Sequence, residues 1–139
     1  MFELIDWSGP VTISGWWYLL PGYLTIWSLV MGTWNFIDGA GMFARFGIDL
    51  SIETDADRFA LMNSAARYLG IAAALVIGVF LVDAVAAAAT ALLARLTMDV
   101  LDLVAGIRAR QFDNLATGVA QSTAMFLAPG LGAVVWLLA

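Results

Sequence analysis

The sequence predicts an all-α membrane protein, four transmembrane helices in a compact bundle, and three observations predict it. The 139 residues are 63% hydrophobic and 12% charged, where an ordinary soluble domain is about 45–50% apolar and 25% charged. Mean hydropathy is +0.91, more apolar surface than a soluble chain of this size can bury. The apolar residues also gather into four stretches near the ~20 residues needed to cross a bilayer. The chain is expected to form a single integral membrane domain over 1–139, with an extramembrane tail at 1–14 and spans at 15–37, 60–82, 87–107 and 115–138.

The tail opens Met1-Phe-Glu-Leu-Ile-Asp6-Trp7. A secretory signal starts with positive charge, so no cleavage is expected. An acidic, aromatic tail of this kind invites docking onto another surface. The first span, 15–37, contains no charge and ends at Asp38, with Pro21 in its first turns, where a missing backbone donor costs little. Gly39-Ala-Gly41 is expected to break this helix. Met42, Phe43, Phe46, Ile48 and Leu50 then suggest a short interfacial segment lying on the bilayer.

Thr54-Asp55-Ala-Asp57 places a capping hydroxyl and two acids at the start of the second helix, which suits the positive end of its dipole. Arg67 to Arg95 is too long for one simple span, so a tight hairpin turn is placed near 83–87, with Asp83 in water. One long bent middle helix is the alternative. The fourth span is interrupted by Pro129-Gly130, which should kink it.

Bases in short loops set orientation. Arg45, Arg58, Arg108 and Arg110 lie in the first and third connections. This predicts a multi-pass protein of the bacterial inner (cytoplasmic) membrane with both termini on the non-cytoplasmic side. Trp16, Trp17 and Tyr18 then lie at the outer interface, with Trp136 near the same level.

Charges inside the spans are the sharpest chemical feature, because each costs about 2.5–3.5 kcal/mol at a helix centre. Arg95, Asp99 and Asp102 are spaced to share one helix face, where Arg95 can pair with Asp99 along the helix. Arg67 and Asp102 are equidistant from a turn centred near 84–85 and are expected to pair, with Asp99 close enough to join. The set Arg67, Arg95, Asp99 and Asp102 reads as a polar pocket or proton path, or as an electrostatic staple fixing helix register. Its balance of two Arg and two Asp favours the staple.

Ala66, Gly70, Ala74 and Gly78 form a small-residue ridge expected to pack the second helix on the Ala-rich third. Tyr23, Trp27, Trp34 and Ile37 form a stripe on the first helix, with Val30 between them. This stripe, with Trp16, Trp17 and Trp136, is expected to meet a partner subunit, lipid or pigment.

From Gly15 onward the plan resembles the DoxX-like group of small four-helix bacterial membrane proteins. The residues that carry the likeness are Arg67-Tyr-Leu-Gly70, Gly78, Asp99 and Asp102, and it covers roughly the last 80 residues. The resemblance implies a compact bundle with an Arg-containing polar interior. Some relatives are linked to quinone or thiol redox chemistry, from which a chain without Cys or His departs. No catalytic residue is carried over.

The missing residue types bound the function. All six cations are Arg, and there is no His, Cys or Lys. The usual ligands for zinc, haem and iron–sulfur clusters are absent, as are thiol chemistry and His-based proton transfer. A net charge of −5 argues against nucleic acid. No metal, no catalytic residue and no cofactor held through His or Cys is expected, only contacts to lipid, quinone or pigment tails. The expected role is a non-catalytic accessory subunit of a larger energy-transducing membrane complex, photosynthetic or respiratory. It would work beside other integral membrane subunits and lipids, stabilising assembly or shaping a quinone or lipid path. The alternative is a stand-alone small-molecule or proton-coupled carrier, or a DoxX-like membrane redox protein, using the Arg/Asp cluster.

Overall fold

The computed structural model describes residues 5–45, 50–110 and 114–139. Those residues are all-helical and form four rods. A 3-10 turn, Gly15–Tyr18, leads into α1, Leu19–Arg45. The second rod is α2, Asp55–Leu75, continued by a π-helical turn, Val76–Leu81. The third is α3, Val85–Arg108. The fourth joins α4, Leu115–Ser122, through a π turn, Thr123–Leu127, to α5, Ala128–Leu138. Two rods are long and apolar enough to cross a membrane, Asp55–Leu81 and Leu115–Leu138. The expected first span is not one of them, because Asn35, Pro21, Tyr23 and the Trp, Ser and Thr residues dilute α1, nor is α3, which carries Arg95, Asp99 and Asp102.

Local chemistry sets the boundaries. Asn114 caps α4 through the Thr117 amide at 3.1 Å. Thr54 caps α2 in a reciprocal box. Its hydroxyl accepts from the Asp57 amide at 3.2 Å, and the Asp57 carboxylate accepts from the Thr54 amide at 2.8 Å. Bonds from the Thr54 hydroxyl and amide, and from the Glu53 amide, hold the Asp57 carboxyl below its ordinary range.

The first helix does not break at Gly39-Ala-Gly41. The break falls on Asp38, whose backbone leaves the helical region at φ −148°, ψ 70°. Its carboxylate then accepts from the Gly41 amide at 3.0 Å and caps a further stretch that runs to Arg45. Met42 and Phe43, expected in an interfacial segment, are therefore helical, and Met42 is buried. Phe46 and Ile48 lie outside the described residues.

The hairpin is tighter than expected. The turn occupies 82–84, and α3 is already helical at Val85. Ala84 offers α3 no side-chain cap. The tail caps it instead: the Gly9 and Trp7 carbonyls accept from the Val85 and Ala86 amides at 3.1 and 2.9 Å. Asp83, exposed in the turn, accepts from the Val11 amide at 3.0 Å. The tail thus docks on its own chain.

The expected kink at Pro129-Gly130 takes another form. Proline lacks an amide and crowds the carbonyl four residues earlier. The preceding turn, Thr123–Leu127, widens to π geometry, and the rod continues into α5.

The rods pack in a ring, α1 against α2, α2 against α3, α3 against the fourth, and the fourth against α1. Gly32 lies against Leu69 and Gly39 against Leu61, so α1 and α2 run antiparallel. The inward face of α1 is Thr25, Ser28, Gly32, Asn35, Gly39 and Met42, alternating three and four residues apart. At the hairpin end the apolar core holds Trp17, Leu24, Leu75, Leu92, Val134 and Leu137, with Trp7, Val11 and Ile13 of the tail laid against it. The buried Trp17 indole donates to the Ala133 carbonyl at 2.9 Å, clasping the first rod to the fourth.

Candidate functional site

Farther along the bundle the interior turns polar. Arg95 of α3 is 1% exposed and lies 2.8 Å from Asp99, one turn on. Its Nη1 donates to the Ser28 hydroxyl of α1 at 2.7 Å, and that hydroxyl donates to the Leu24 carbonyl at 2.7 Å. The guanidinium carbon lies 5.9 Å from the centroids of both Tyr68 and Phe126, so aromatic rings from α2 and from the π turn of the fourth rod enclose it. One cation thus touches all four rods.

A second pair lies beside it. Arg67 Nη2 is 2.8 Å from Asp102 Oδ1, and the Tyr68 hydroxyl donates to Asp102 Oδ2 at 3.1 Å. This pair is more open, with side chains 48% and 28% exposed. Asp99 pairs with Arg95, as their spacing along the helix allowed, and does not join Arg67. Among the described residues the Asn35 carboxamide, Arg95 Nε and Asp99 Oδ2 are buried without a hydrogen-bond partner.

The structure brings together Arg67, Arg95, Asp99 and Asp102 and adds Ser28, Tyr68 and Phe126. Tyr68 stood in the sequence beside Arg67. Ser28 could have been found from the three–four spacing of small and polar residues on α1. Phe126 gave no signal, because the π turn that aims it was not foreseen.

The small-residue ridge does not work as one surface. Only Gly78 is buried against α3, where an added Cβ would lie 2.7 Å from the Ala87 carbonyl and 2.9 Å from Ala91. Ala74 is half-buried, and Ala66 and Gly70 face outward. The close approach expected of that ridge belongs equally to Gly32 of α1, where a Cβ would lie 2.8 Å from Leu69.

The aromatic positions divide. Trp16, Tyr23 and Trp136 are exposed. Trp27 stacks on Phe126 with centroids 5.5 Å apart, and Trp34 lies under the Arg45 guanidinium at 5.2 Å. Trp17 is fully buried and is not a surface for a partner or pigment.

Chemically the site is an electrostatic clasp. Each carboxylate has a guanidinium at 2.8 Å. Arg stays charged at all physiological pH and exchanges no proton. Among the described residues no three His, Cys, Asp or Glu side chains converge as metal ligands. No protein-family model matches this chain, no curated protein matches it, and no solved structure is similar to it.

Proposed function

We propose that the chain is an integral membrane scaffold: four rods crossing a bacterial cytoplasmic membrane as a non-catalytic accessory subunit of an energy-transducing complex, photosynthetic or respiratory. The observation that carries the reading is the inversion of α1. Its buried face sets Thr25, Ser28 and Asn35 beside Leu24 and Met42, while Ile26, Leu29, Val30, Phe36 and Ile37 are exposed. Water selects the opposite arrangement, and lipid accepts this one. The paired Arg and Asp side chains support a staple that holds helices in place of a site that turns over substrate.

The charge distribution supports the orientation. The tail packs on the hairpin, so the tail and Asp83 share one end, and the fourth rod brings Leu137 to that end as well. Arg45 and Arg108 end their helices, Arg58 lies in the first turn of α2 and Arg110 follows α3, all at the other end. The positive-inside rule makes that side cytoplasmic.

Membrane fractionation followed by purification in mild detergent tests the reading, with the absorption spectrum taken on the native material. Stoichiometric partner subunits are expected, and the pigment or haem bands they carry would separate the photosynthetic from the respiratory setting. A colourless protein that purifies alone refutes the accessory role. It would favour the second reading, a stand-alone carrier, to which the unpartnered Asn35 carboxamide and Asp99 Oδ2 would offer polar contacts.

A further inference from the structure

The outer surface between α2 and α3 carries a shallow, open depression. The helices close at Gly78, but at Gly70, two turns back, nothing lies within 4 Å of a Cβ position. Between them is an outward-facing groove of about 420 Å³, walled by Ala74, Ile77, Gly78, Ala87, Thr90 and Ala94. Thr90 is the one polar side chain among these, and its hydroxyl is spent on the Ala86 carbonyl at 2.7 Å. Whatever enters the groove is therefore apolar where it enters.

Depth decides which leaflet the groove faces. From Ala86 to Ala94 is about 12 Å along the helix at 1.5 Å per residue. Half of a hydrocarbon core of about 30 Å is about 15 Å. Measured from the hairpin, the groove occupies one leaflet, the one on the hairpin side. Arg67 lies about 22 Å along α2 from Val82, in the opposite leaflet, too far to meet a headgroup at the groove's mouth. Among the described residues the exposed charge nearest the groove along α3 is Asp83, three residues ahead of Ala86. One of its oxygens takes the Val11 amide, and the residue is exposed. Asp6 of the tail lies at the same end, its carboxylate turned onto the Ser8 and Gly9 amides. An anionic headgroup would meet acid there, whereas an ammonium would meet a partner.

We propose that this groove binds one acyl chain of a zwitterionic phospholipid of the hairpin-side leaflet, with the primary ammonium of its headgroup paired to Asp83. The inference rests on the membrane reading above. The test uses the full chain in mild detergent, titrated with phosphatidylethanolamine, phosphatidylcholine and phosphatidylglycerol of identical acyl chains, with bound lipid counted by native mass spectrometry. One phosphatidylethanolamine should be retained at least tenfold better than phosphatidylglycerol. Asp83→Asn, which keeps the acceptor for Val11, should abolish the preference and leave retention. Ala94→Leu, or Thr90→Leu where the first variant loses helix content by circular dichroism, should weaken retention of all three lipids at least tenfold.

Equal retention of the three lipids by the parent overturns the proposal, as does undiminished retention in both groove variants. So does a membrane polypeptide that co-purifies with the parent and is lost from Ala94→Leu, because the groove then seats protein. A chain that fails to fractionate with membranes refutes the membrane reading itself, and that is scored before any lipid is added.

Discussion

Removing Arg95 and Asp99 singly and together separates a staple from a polar site kept for other reasons. The pair is buried, with side chains 1% and 6% exposed. Truncating one member of such a pair leaves an uncompensated charge and costs about 3–5 kcal/mol, whereas replacing both with apolar residues of similar volume is near neutral or stabilising. Arg95→Met also frees the Ser28 hydroxyl, which keeps its bond to the Leu24 carbonyl, so no second orphan is created. Arg95→Met and Asp99→Leu should therefore each cost about 3–5 kcal/mol, and the double variant under about 1 kcal/mol. The coupling would be several kcal/mol, well above the ~0.6 kcal/mol average of neutral hydrogen bonds between membrane helices. Unfolding in mixed micelles, followed by circular dichroism and tryptophan fluorescence, measures all four corners of the cycle. Single losses that simply add in the double variant would refute the reasoning, because they would mean that the two charges do not neutralise each other.

Three contrasts extend the same logic. Asp102→Ala takes the acceptor from Arg67 and from the Tyr68 hydroxyl; inside a span the open side of this pair faces lipid and not water, so the uncompensated Arg67 charge should cost about 2.5–3.5 kcal/mol, and a loss under about 1 kcal/mol would place the pair in water. Gly78→Val should destabilise by about 1–3 kcal/mol through overpacking against Ala87, while Gly70→Ala, in open space, should leave the unfolding midpoint unchanged or raise it. The Thr54–Asp57 cap should weaken on acidification. Its carboxyl is held below the ordinary value of about 3.9, so the stabilisation is present above that value and is lost as pH falls through the lower folded value; Asp57→Asn should abolish that component of the acid profile of helix content.

Element positions were legible because their signals are local. The Thr54 cap needs only its own four residues, and the Arg67-to-Arg95 stretch is too long for one span whatever lies around it. Boundaries that depend on distant chain were not legible. The start of α3 at Val85 is set by carbonyls of Trp7 and Gly9, far away in sequence, so no pattern near residue 85 announces it. The π turn ahead of Pro129 is one of several ways a helix absorbs a missing amide, and sequence spacing does not choose among them.

The inward face of α1 went unread for a different reason, and it bears on the site. Size and apolarity drew attention to the outward stripe of Tyr23, Trp27, Trp34 and Ile37, not to the small and polar residues that face the bundle. If lipid surrounds the bundle, as proposed above, apolarity no longer sorts residues to the inside, since the tails outside are as apolar as any core. What sorts them is the capacity for close approach and for hydrogen bonds that lipid cannot offer. Thr25 and Ser28 satisfy their hydroxyls on the Pro21 and Leu24 carbonyls of their own helix, which frees them to sit at a helix contact, and Gly32 admits Leu69. Arg95 can reach Ser28 because the inward residues of α1 are small. The clasp across the bundle axis thus depends on the small inward residues of α1, which make room for the buried charge.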